Sequence, residues 1–340
     1  MTAPPPKTIE AQPVSIAWAP KSTRNFAVGC VDGRVEIHST KKSAAPLARV
    51  WHGTRGAAAA VAWSDHGHGL YAGYGDGAVC CWDARGGGAK AWKAKGQGDA
   101  VTAMLPLFSQ NLLAVGDDGG RITLRDARIS GDRNPATTAR SHSDYVSGLC
   151  TIRDDILVSA GADGVLAALD LRKNMKSVGE TDPFEDELLS CCVTPFSVIA
   201  GTATGPLLVW SRQNLDAEPA VVASDHDSVE ALVAVHDLVL TGTSDGIVRA
   251  YEHTPGKLTD IGAIGAHDDF PVEALDATFD DGLVASLSHD CVVRFFDATN
   301  SCAVRALAAA ADGSASDSSD DEQPRKKKKQ SESFFDGLGS

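Results

Sequence analysis

Residues 70–85 read LYAGYGDGAVCCWDAR. Two apolar runs flank an Asp-Gly pair at Asp76 and Gly77, and the second run ends in Trp-Asp. Asp-Gly between two strand-like runs is a strong β-hairpin signal, because glycine readily adopts the positive φ that tight hairpin turns need. The stretch therefore predicts two antiparallel strands joined by a tight turn.

The same phrase occurs seven times along the chain, at intervals of 41–45 residues. The turn residues are Asp32, Asp76, Asp118, Asp163, Thr204, Asp245 and Asp290. Units of this length that divide into four short strands are typical of β-propeller blades. We therefore predict an all-β, seven-bladed propeller over residues 14–308, with a segment at 1–13 before it and a disordered tail at 309–340. The six turn aspartates are predicted to be structural, because Asp hydrogen-bonds the backbone locally.

The sequence leaves two ways to complete the seventh blade. Residues 301–308 (SCAVRALA) read as its own fourth strand, whereas residues 7–12 (KTIEAQ) read as a closing strand supplied by the N-terminal end. The residues do not decide between these alternatives.

The units resemble the blades of WD-repeat proteins. That family places a His before the first strand, a hydroxyl four residues before the turn Asp, an aromatic residue six after it, and then Asp. The matching residues are His52, His142, His226 and His267; Ser159, Thr241 and Ser286; Trp82, Trp210, Tyr251 and Phe296; and Asp83, Asp170 and Asp297. No unit combines a tryptophan with all the other members of the set, so we expect the hydrogen-bond network to be incomplete in every blade.

Three consecutive units end their third strand in Asp-x-Arg, which places Arg85, Arg128 and Arg172 at equivalent positions. Together with Trp82 and Asp83, Arg85 forms a short motif that we call the box. It resembles the docking motif of WD-repeat substrate receptors, which bind the damaged-DNA-binding adaptor of cullin-RING ubiquitin ligases. An Arg at a strand end offers a planar, multi-donor group that suits interfaces. A solvated Arg, or an Arg paired with its own Asp, is the alternative interpretation.

Composition excludes several classes of function. The formal net charge of −14 argues against a protein whose whole surface binds nucleic acid, and direct RNA contact would need a local basic patch. No apolar run approaches the length that a membrane span needs, so no membrane contact is expected. The eight cysteines form no C-x-x-C pair, which favours free thiols in a reducing, intracellular compartment.

The sequence also predicts no catalytic residue, metal site or cofactor. His and Asp recur from blade to blade, whereas a catalytic constellation is unique in a chain. The most ligand-like run, residues 65–68 (DHGH), lacks a third nearby ligand at metal-site spacing. We therefore expect a non-enzymatic, monomeric binding protein.

The tail carries two charged segments. Residues 312–323 are acidic and Ser-rich, and Ser314, Ser318 and Ser319 each precede an acidic residue by three positions, which makes them candidate phosphorylation sites. A dense basic run follows, made of Arg325, Lys326, Lys327, Lys328 and Lys329. It predicts nuclear import by importin or contact with nucleic acid, and a merely solubilising run is the alternative.

The last ten residues, SESFFDGLGS, place Phe334, Phe335 and Leu338 in a polar segment, which is typical of a short docking motif. A seven-unit propeller followed by acidic, polylysine and Phe-Phe segments resembles the WD repeat-containing protein 55 family of animals and plants. The resemblance implies a nuclear, nucleolar scaffold that binds pre-ribosomal factors in ribosomal RNA synthesis or processing. Plant members also imply the cullin-RING receptor as an alternative.

Overall fold

The computed structural model describes residues 3–316, except 21, 23, 42–44, 52–55, 87–88, 95–97, 130–136, 225 and 279–281. Within these residues, 28 β-strands form seven four-stranded antiparallel sheets. The first strand of each sheet contacts the first strand of the next, and that of the seventh contacts that of the first. The sheets therefore form a closed ring, which confirms the predicted seven-bladed β-propeller.

The strands follow one pattern in all blades. The chain begins with β1 (Lys7–Thr8), and blade 1 then contains β2 (Pro13–Trp18), β3 (Asn25–Cys30), β4 (Arg34–Ser39) and β5 (Ala48–Trp51). Blade 2 contains β6 (Ala58–Trp63), β7 (Gly69–Tyr74), β8 (Val79–Asp83) and β9 (Ala89–Ala94). Blade 3 contains β10 (Val101–Leu107), β11 (Leu112–Asp117), β12 (Arg121–Asp126) and β13 (Thr137–Arg140). Blade 4 contains β14 (Val146–Arg153), β15 (Ile156–Gly161), β16 (Leu166–Asp170) and β17 (Lys176–Glu180).

The remaining blades continue this order. Blade 5 contains β18 (Leu188–Val193), β19 (Ser197–Thr202), β20 (Leu207–Ser211) and β21 (Ala220–Val222). Blade 6 contains β22 (Val229–Val235), β23 (Leu238–Thr243), β24 (Ile247–Thr254) and β25 (Lys257–Ala266). Blade 7 contains β26 (Val272–Ala277), β27 (Leu283–Ser288) and β28 (Val292–Asp297), and helix α1 (Ser301–Ser316) follows it. Short 3₁₀ turns occur at Ala84–Gly86, Phe108–Gln110 and Leu171–Lys173.

The N-terminal strand completes blade 7. Lys7 pairs with Val293 and Thr8 with Val292, so β1 lies on the outer edge of β28. The structure therefore has the closing strand supplied by the N-terminal end, which was one of the two alternatives that the sequence left open. The ring is held at this seam by non-covalent contacts between the two ends of the propeller sequence.

Residues 301–308 are helical, so the alternative in which they form a strand is wrong. The Asn300 side chain accepts a hydrogen bond from the Ala303 N–H at 2.9 Å and so caps the first turn. Val304 and Ala308, four residues apart, are buried against blade 6, where they join an apolar cluster with Ile264. Residues 309–316, assigned to a disordered tail from sequence, also lie in this helix. Residues 317–340 lie outside the described residues.

Close packing between blades depends on a glycine that the repeat carries in its second strand. A Cβ atom added at Gly73 would lie 2.3 Å from Val101 Cγ1 of the next blade, and Gly116 faces Val146 in the same way. Gly201 faces Val229 and Gly242 faces Val272 in equivalent positions. The glycine therefore permits the next blade to approach the sheet directly.

Candidate interaction site

The propeller has two faces that differ in the loops they carry. The upper face carries the turns between second and third strands and the connections between blades. The lower face carries the connections from first to second and from third to fourth strands. Because every blade is antiparallel and runs in the same order, equivalent loops of all blades lie on the same face.

On the upper face, blades 4 and 7 each contain a Ser-His-Asp network. His142 Nε2 lies 2.8 Å from Ser159 Oγ, and His142 Nδ1 lies 3.0 Å from Asp163 Oδ1. This order of contacts matches the triad of serine hydrolases. Ser159, however, is completely buried inside the sheet, so its hydroxyl has no path to a substrate. The network instead links the entry loop of the blade to its second turn.

Blade 7 repeats the arrangement. His267 Nε2 lies 2.6 Å from Ser286 Oγ, and Nδ1 lies 2.8 Å from Asp290 Oδ2. Burial lowers the pKa of His267, and the hydrogen bond to Asp290 opposes this effect. Ser286 is also completely buried, so this network too is structural. In blade 6, the Thr241 hydroxyl is buried and has no hydrogen-bond partner among the described residues, which do not include His52.

The turn aspartates accept backbone hydrogen bonds. In five turns Oδ1 accepts from the N–H two residues later; the pairs are Asp32–Arg34, Asp76–Ala78, Asp163–Val165, Asp245–Ile247 and Asp290–Val292. In blade 3 this role belongs to Asp117, which accepts from Gly119 and Arg121, rather than to Asp118.

In blade 5, Thr204 stands where the other turns have aspartate. Its N–H and hydroxyl donate to Asp186 at 2.9 and 2.6 Å. An aspartate from the connection between blades 4 and 5 therefore replaces the missing turn residue.

The three Asp-x-Arg arginines project from the lower face. Each side chain folds back onto its own aspartate: Arg85 onto Asp83, Arg128 onto Asp126 and Arg172 onto Asp170. The side-chain hydrogen bonds from Arg128 lower the pKa of Asp126 to about 2. The three arginine side chains nevertheless stay about two-thirds exposed, at 64–67%.

Trp82 differs from these arginines because it lies inside the protein. Its side chain is buried in the apolar cluster between blades 1 and 2, so a partner at the surface would not reach the indole ring. The box therefore offers only its charged members to solvent. This geometry does not favour the adaptor-docking alternative over an intramolecular Arg–Asp pair.

A wide groove crosses blades 4, 5 and 6 on the lower face, and we call it the blade 5 groove. Its volume is about 1520 Å³, and it is lined by residues that include Val178, Phe196, Arg212, Asp216, His253 and Lys257. The outer strand of blade 5 has only three residues, against five in blade 4 and ten in blade 6. Because this strand is short, residues 212–218 line the groove as loop rather than strand.

Other candidate chemistry is not assembled in the described residues. No group of three or more His, Cys, Asp and Glu side chains there is placed to hold a metal ion. His66 and His68 have ring centroids 6.1 Å apart, and no third ligand joins them. The eight cysteines are free thiols, and Cys150 and Cys191 approach to 3.7 Å between sulfur atoms. In the part of the chain with described coordinates, no helix has the length and apolar character of a membrane span.

The WD domain, G-beta repeat family matches residues 46–83, which include the first three strands of blade 2. This chain therefore contains a match to the WD repeat, which supports its resemblance to WD-repeat proteins. Among solved structures, a chain of the crystal structure of the mitotic checkpoint complex superposes with a TM-score of 0.71 and covers 86% of this chain and 94% of its own length. At 20% identity, that likeness concerns the fold alone.

Curated relatives confirm the resemblance to WD repeat-containing protein 55. The WD repeat-containing protein JIP5 of Cryptococcus neoformans var. neoformans is 33% identical over 197 residues, covering 56% of this chain. The WD repeat-containing protein 55 homolog of Dictyostelium discoideum is 31% identical, covering 55%. The human WD repeat-containing protein 55 is 27% identical over 296 residues, covering 85%. The matches span about half the length of the first two relatives (51% and 45%) and 75% of the human protein.

Sequence reasoning missed the residues that define the lower face of this WD-repeat protein. Phe196 and His253 come from different blades and are 57 positions apart, so no local motif joins them. Asp117 lies one residue before the predicted turn residue Asp118, and Asp186 lies in the connection between blades 4 and 5. A local signal did exist in the sequence, because residues 212–219 (RQNLDAEP) are mostly polar up to the short outer strand of blade 5. The tail residues Ser318, Ser319, Phe334, Phe335 and Leu338 and the run at 325–329 lie outside the described residues, as does the Ser314 side chain.

Proposed function

We propose that this WD-repeat protein is a nucleolar scaffold that binds pre-ribosomal proteins during ribosomal RNA synthesis or processing. The propeller supports the binding part of this proposal, because its rigid sheets hold loops in fixed positions and so reduce the entropy lost on association. The resemblance to WD repeat-containing protein 55 supports the nucleolar part. A non-catalytic role agrees with the burial of Ser159 and Ser286 in their networks.

The blade 5 groove is the observation that carries the scaffold function. Phe196 is 45% exposed and Val178 49% exposed, so apolar side chains face solvent beside basic ones. Exposed apolar surface rimmed by polar groups marks protein interaction sites. Aromatic and arginine side chains are also the residues that contribute most at such interfaces.

The test is affinity purification of the tagged full chain from nuclear extract, with and without ribonuclease, followed by mass spectrometry. Ribosome-assembly factors that survive ribonuclease would support the proposal and assign the contacts to protein. Their complete loss after ribonuclease would point to RNA-mediated contact. A cullin-RING adaptor as the main partner, without pre-ribosomal proteins, would overturn the proposal.

A matched pair of variants locates the binding surface in the same experiment. Phe196→Ala changes the groove, whereas Phe108→Ala changes an equally exposed phenylalanine (44%) in the equivalent connection of blade 3. We expect Phe196→Ala to reduce recovery of the main partners severalfold and Phe108→Ala to leave it unchanged. Equal recovery with both variants would show that the groove is not the contact surface.

Nuclear localisation is proposed to depend on the run from Arg325 to Lys329. Substituting all five residues with Gln should move a fluorescent fusion from nucleus to cytoplasm, because importins recognise clustered positive charge. Substituting the four lysines with Arg preserves the charge and should preserve localisation. Nuclear accumulation of the Gln variant would contradict this role for the run.

A further inference from the structure

The blade 5 groove contains a buried imidazole without a partner. The His253 side chain is 3% exposed, and neither ring nitrogen has a hydrogen-bond partner among the described residues. Its ring lies 5.6 Å from that of Phe196, and both side chains line the groove. Burial lowers the pKa of His253, so the ring is neutral at neutral pH and offers one N–H donor and one acceptor.

Such a side chain is costly unless a bound molecule satisfies it, because a buried polar group without a hydrogen bond has lost its water without compensation. A peptide group supplies both a donor and an acceptor at once. Both ring nitrogens are buried when the groove is empty, so pairing with the backbone of an extended segment in the groove requires the neighbouring side chains to move aside.

The charge of the groove is opposite to that of the protein. Five basic residues line it, against three acidic ones: Arg153, Arg172, Lys173, Arg212 and Lys257 against Asp170, Asp216 and Glu218. Asp155 forms ion pairs with Arg153 and Arg172, so a small positive excess remains. The chain as a whole carries −14. Because the Phe196 and Val178 side chains add apolar surface, the groove suits a segment that combines aromatic and acidic residues.

This chain contains such a segment at residues 331–340, which read SESFFDGLGS. Phe334, Phe335 and Leu338 supply apolar groups, while Glu332 and Asp336 supply negative charge on either side. No basic residue interrupts these ten positions. The composition therefore complements both the apolar and the basic parts of the groove.

The helix that precedes this segment packs against a blade that borders the groove. Arg305 of α1 forms an ion pair at 2.8 Å with Glu252, the residue next to His253, and Ala308 packs over Gly262 of β25. From Ser316 to Phe334 there are 17 intervening residues, which can span roughly 55 Å when extended. The helix itself is only about 24 Å long, so this length of chain is sufficient to return to the lower face from either end of it.

We propose that residues 331–340 bind in the blade 5 groove of their own chain, with Phe334 and Phe335 beside Phe196 and the backbone paired with His253. Because the segment belongs to the same chain, its effective concentration at the groove reaches the millimolar range, so even a weak contact is mostly occupied. A partner that uses the groove must then displace the tail. This inference goes beyond the scaffold proposal, because it assigns an internal competitor to the binding surface.

The test uses the full chain and a fluorescent peptide of residues 331–340, measured by fluorescence anisotropy. The peptide should bind the full-length double variant Phe334→Ala/Phe335→Ala saturably. It should bind the wild-type chain about tenfold more weakly, because the tail competes for the groove. Adding Phe196→Ala to the double variant should weaken peptide binding about tenfold or more, whereas adding Phe108→Ala should not change it.

A second readout does not depend on any groove variant. The ring resonances of His253 in the full chain should shift when Phe334 and Phe335 are both replaced by Ala, and should return when the peptide is added. Equal peptide affinity for wild type and double variant, or no saturable binding, would overturn the proposal. Competition between the tail and the peptide that disappears when the protein is diluted would also overturn the proposal, because the tail would then occupy the groove of a second copy. A negative result for tail binding does not change the outcome expected from the purification experiment. The tail proposal and the scaffold proposal can therefore be contradicted independently.

Discussion

A single glycine in the second strand determines how closely two blades approach. A Cβ atom at Gly73 would lie 2.3 and 2.8 Å from two atoms of Val101, distances that real Cβ atoms essentially never show. We predict that Gly73→Ala lowers the free energy of unfolding by about 1–3 kcal/mol, because overpacking displaces the next blade. Chemical denaturation of the full chain measures this change.

Gly75→Ala is the control for that substitution. Gly75 lies two residues further along, is exposed, and would place its Cβ 3.5 Å or more from its neighbours, an ordinary contact. Its variant should unfold within about 0.5 kcal/mol of wild type, as surface substitutions usually do. Equal destabilisation by both variants would mean that loss of glycine, rather than the contact between blades, sets the cost.

A half-buried carboxylate at the seam between blades 7 and 1 should make stability depend on pH. Asp276 accepts hydrogen bonds from the backbone N–H groups of Trp18 and Ala277 at 2.6 and 2.8 Å. Burial nevertheless raises its pKa to about 6, against an ordinary value of 3.8. The folded protein therefore takes up this proton before the unfolded chain does. The stability contributed by Asp276 rises as pH falls from about 7 to 4.

Comparison with Asp276→Asn isolates this effect from other titrations. The difference in free energy of unfolding between wild type and this variant should move in favour of wild type when the pH falls from 8 to 5. Asp126→Asn is the control, because its pKa is lowered to about 2 and the carboxylate does not titrate in that range. A flat difference for Asp276→Asn would contradict the raised pKa.

At the residue scale, the sequence predicted contacts made at fixed spacing and missed those made between blades. His142, Ser159 and Asp163 recur at family spacings, so their positions could be predicted before their distances were known. His253 and Phe196 meet only because two blades pack side by side. Gly73 stood in the repeated phrase, yet its role depends on Val101, which lies in another unit.

Helix α1 is an element that the sequence reasoning did not predict. In residues 301–308, Cys302, Val304, Ala306 and Ala308 alternate as in a strand, whereas Val304, Leu307 and Ala308 also fit one face of a helix. Eight residues are too few to distinguish the two-residue period of a strand from the 3.6-residue period of a helix. The cap from Asn300 and the run of alanines from 308 to 311 favour the helix.

The helix should depend on one buried side chain for its position. Val304 is completely buried against blade 6, whereas Ala306 on the same helix is exposed. We predict that Val304→Asp detaches the helix and exposes its amides to hydrogen exchange, because a buried, unpaired charge is strongly unfavourable. Ala306→Asp should leave exchange unchanged in the helix. Matching exchange in both variants would mean that the helix forms without packing on the propeller.

For the whole molecule, the repeat predicted the number of blades but not how the ring closes. Seven phrases at 41–45 residue intervals fix seven sheets, since each unit supplies the same strands. The closing strand β1 has only two residues, Lys7 and Thr8, and pairs with residues more than 280 positions away. A strand this short leaves no periodic signal. Its pairing is decided by the geometry of the complete ring.

Closure at this seam rests on Ile9 and an aromatic cluster. Ile9 is 2% exposed, donates its N–H to the Cys291 carbonyl at 2.8 Å, and packs in the cluster that contains Trp18, Phe26 and Phe295. Removing its side chain should cost about 2–4 kcal/mol, as large-to-small core substitutions do. Each blade packs on both neighbours in the ring. We therefore predict that Ile9→Ala lowers the unfolding midpoint of the entire propeller, rather than loosening only its N-terminal strand.

Thermal unfolding and hydrogen exchange together separate those two outcomes. Glu10→Ala is the control, because Glu10 is exposed and its ion pair with Arg49 contributes at most about 1 kcal/mol. If Ile9→Ala accelerates exchange in blades 3 and 4, opposite the seam, then closing the ring stabilises every blade. If faster exchange is confined to β1 and β28 while the midpoint matches that of Glu10→Ala, each blade is stable on its own contacts, and the non-covalent closure is only a local contact.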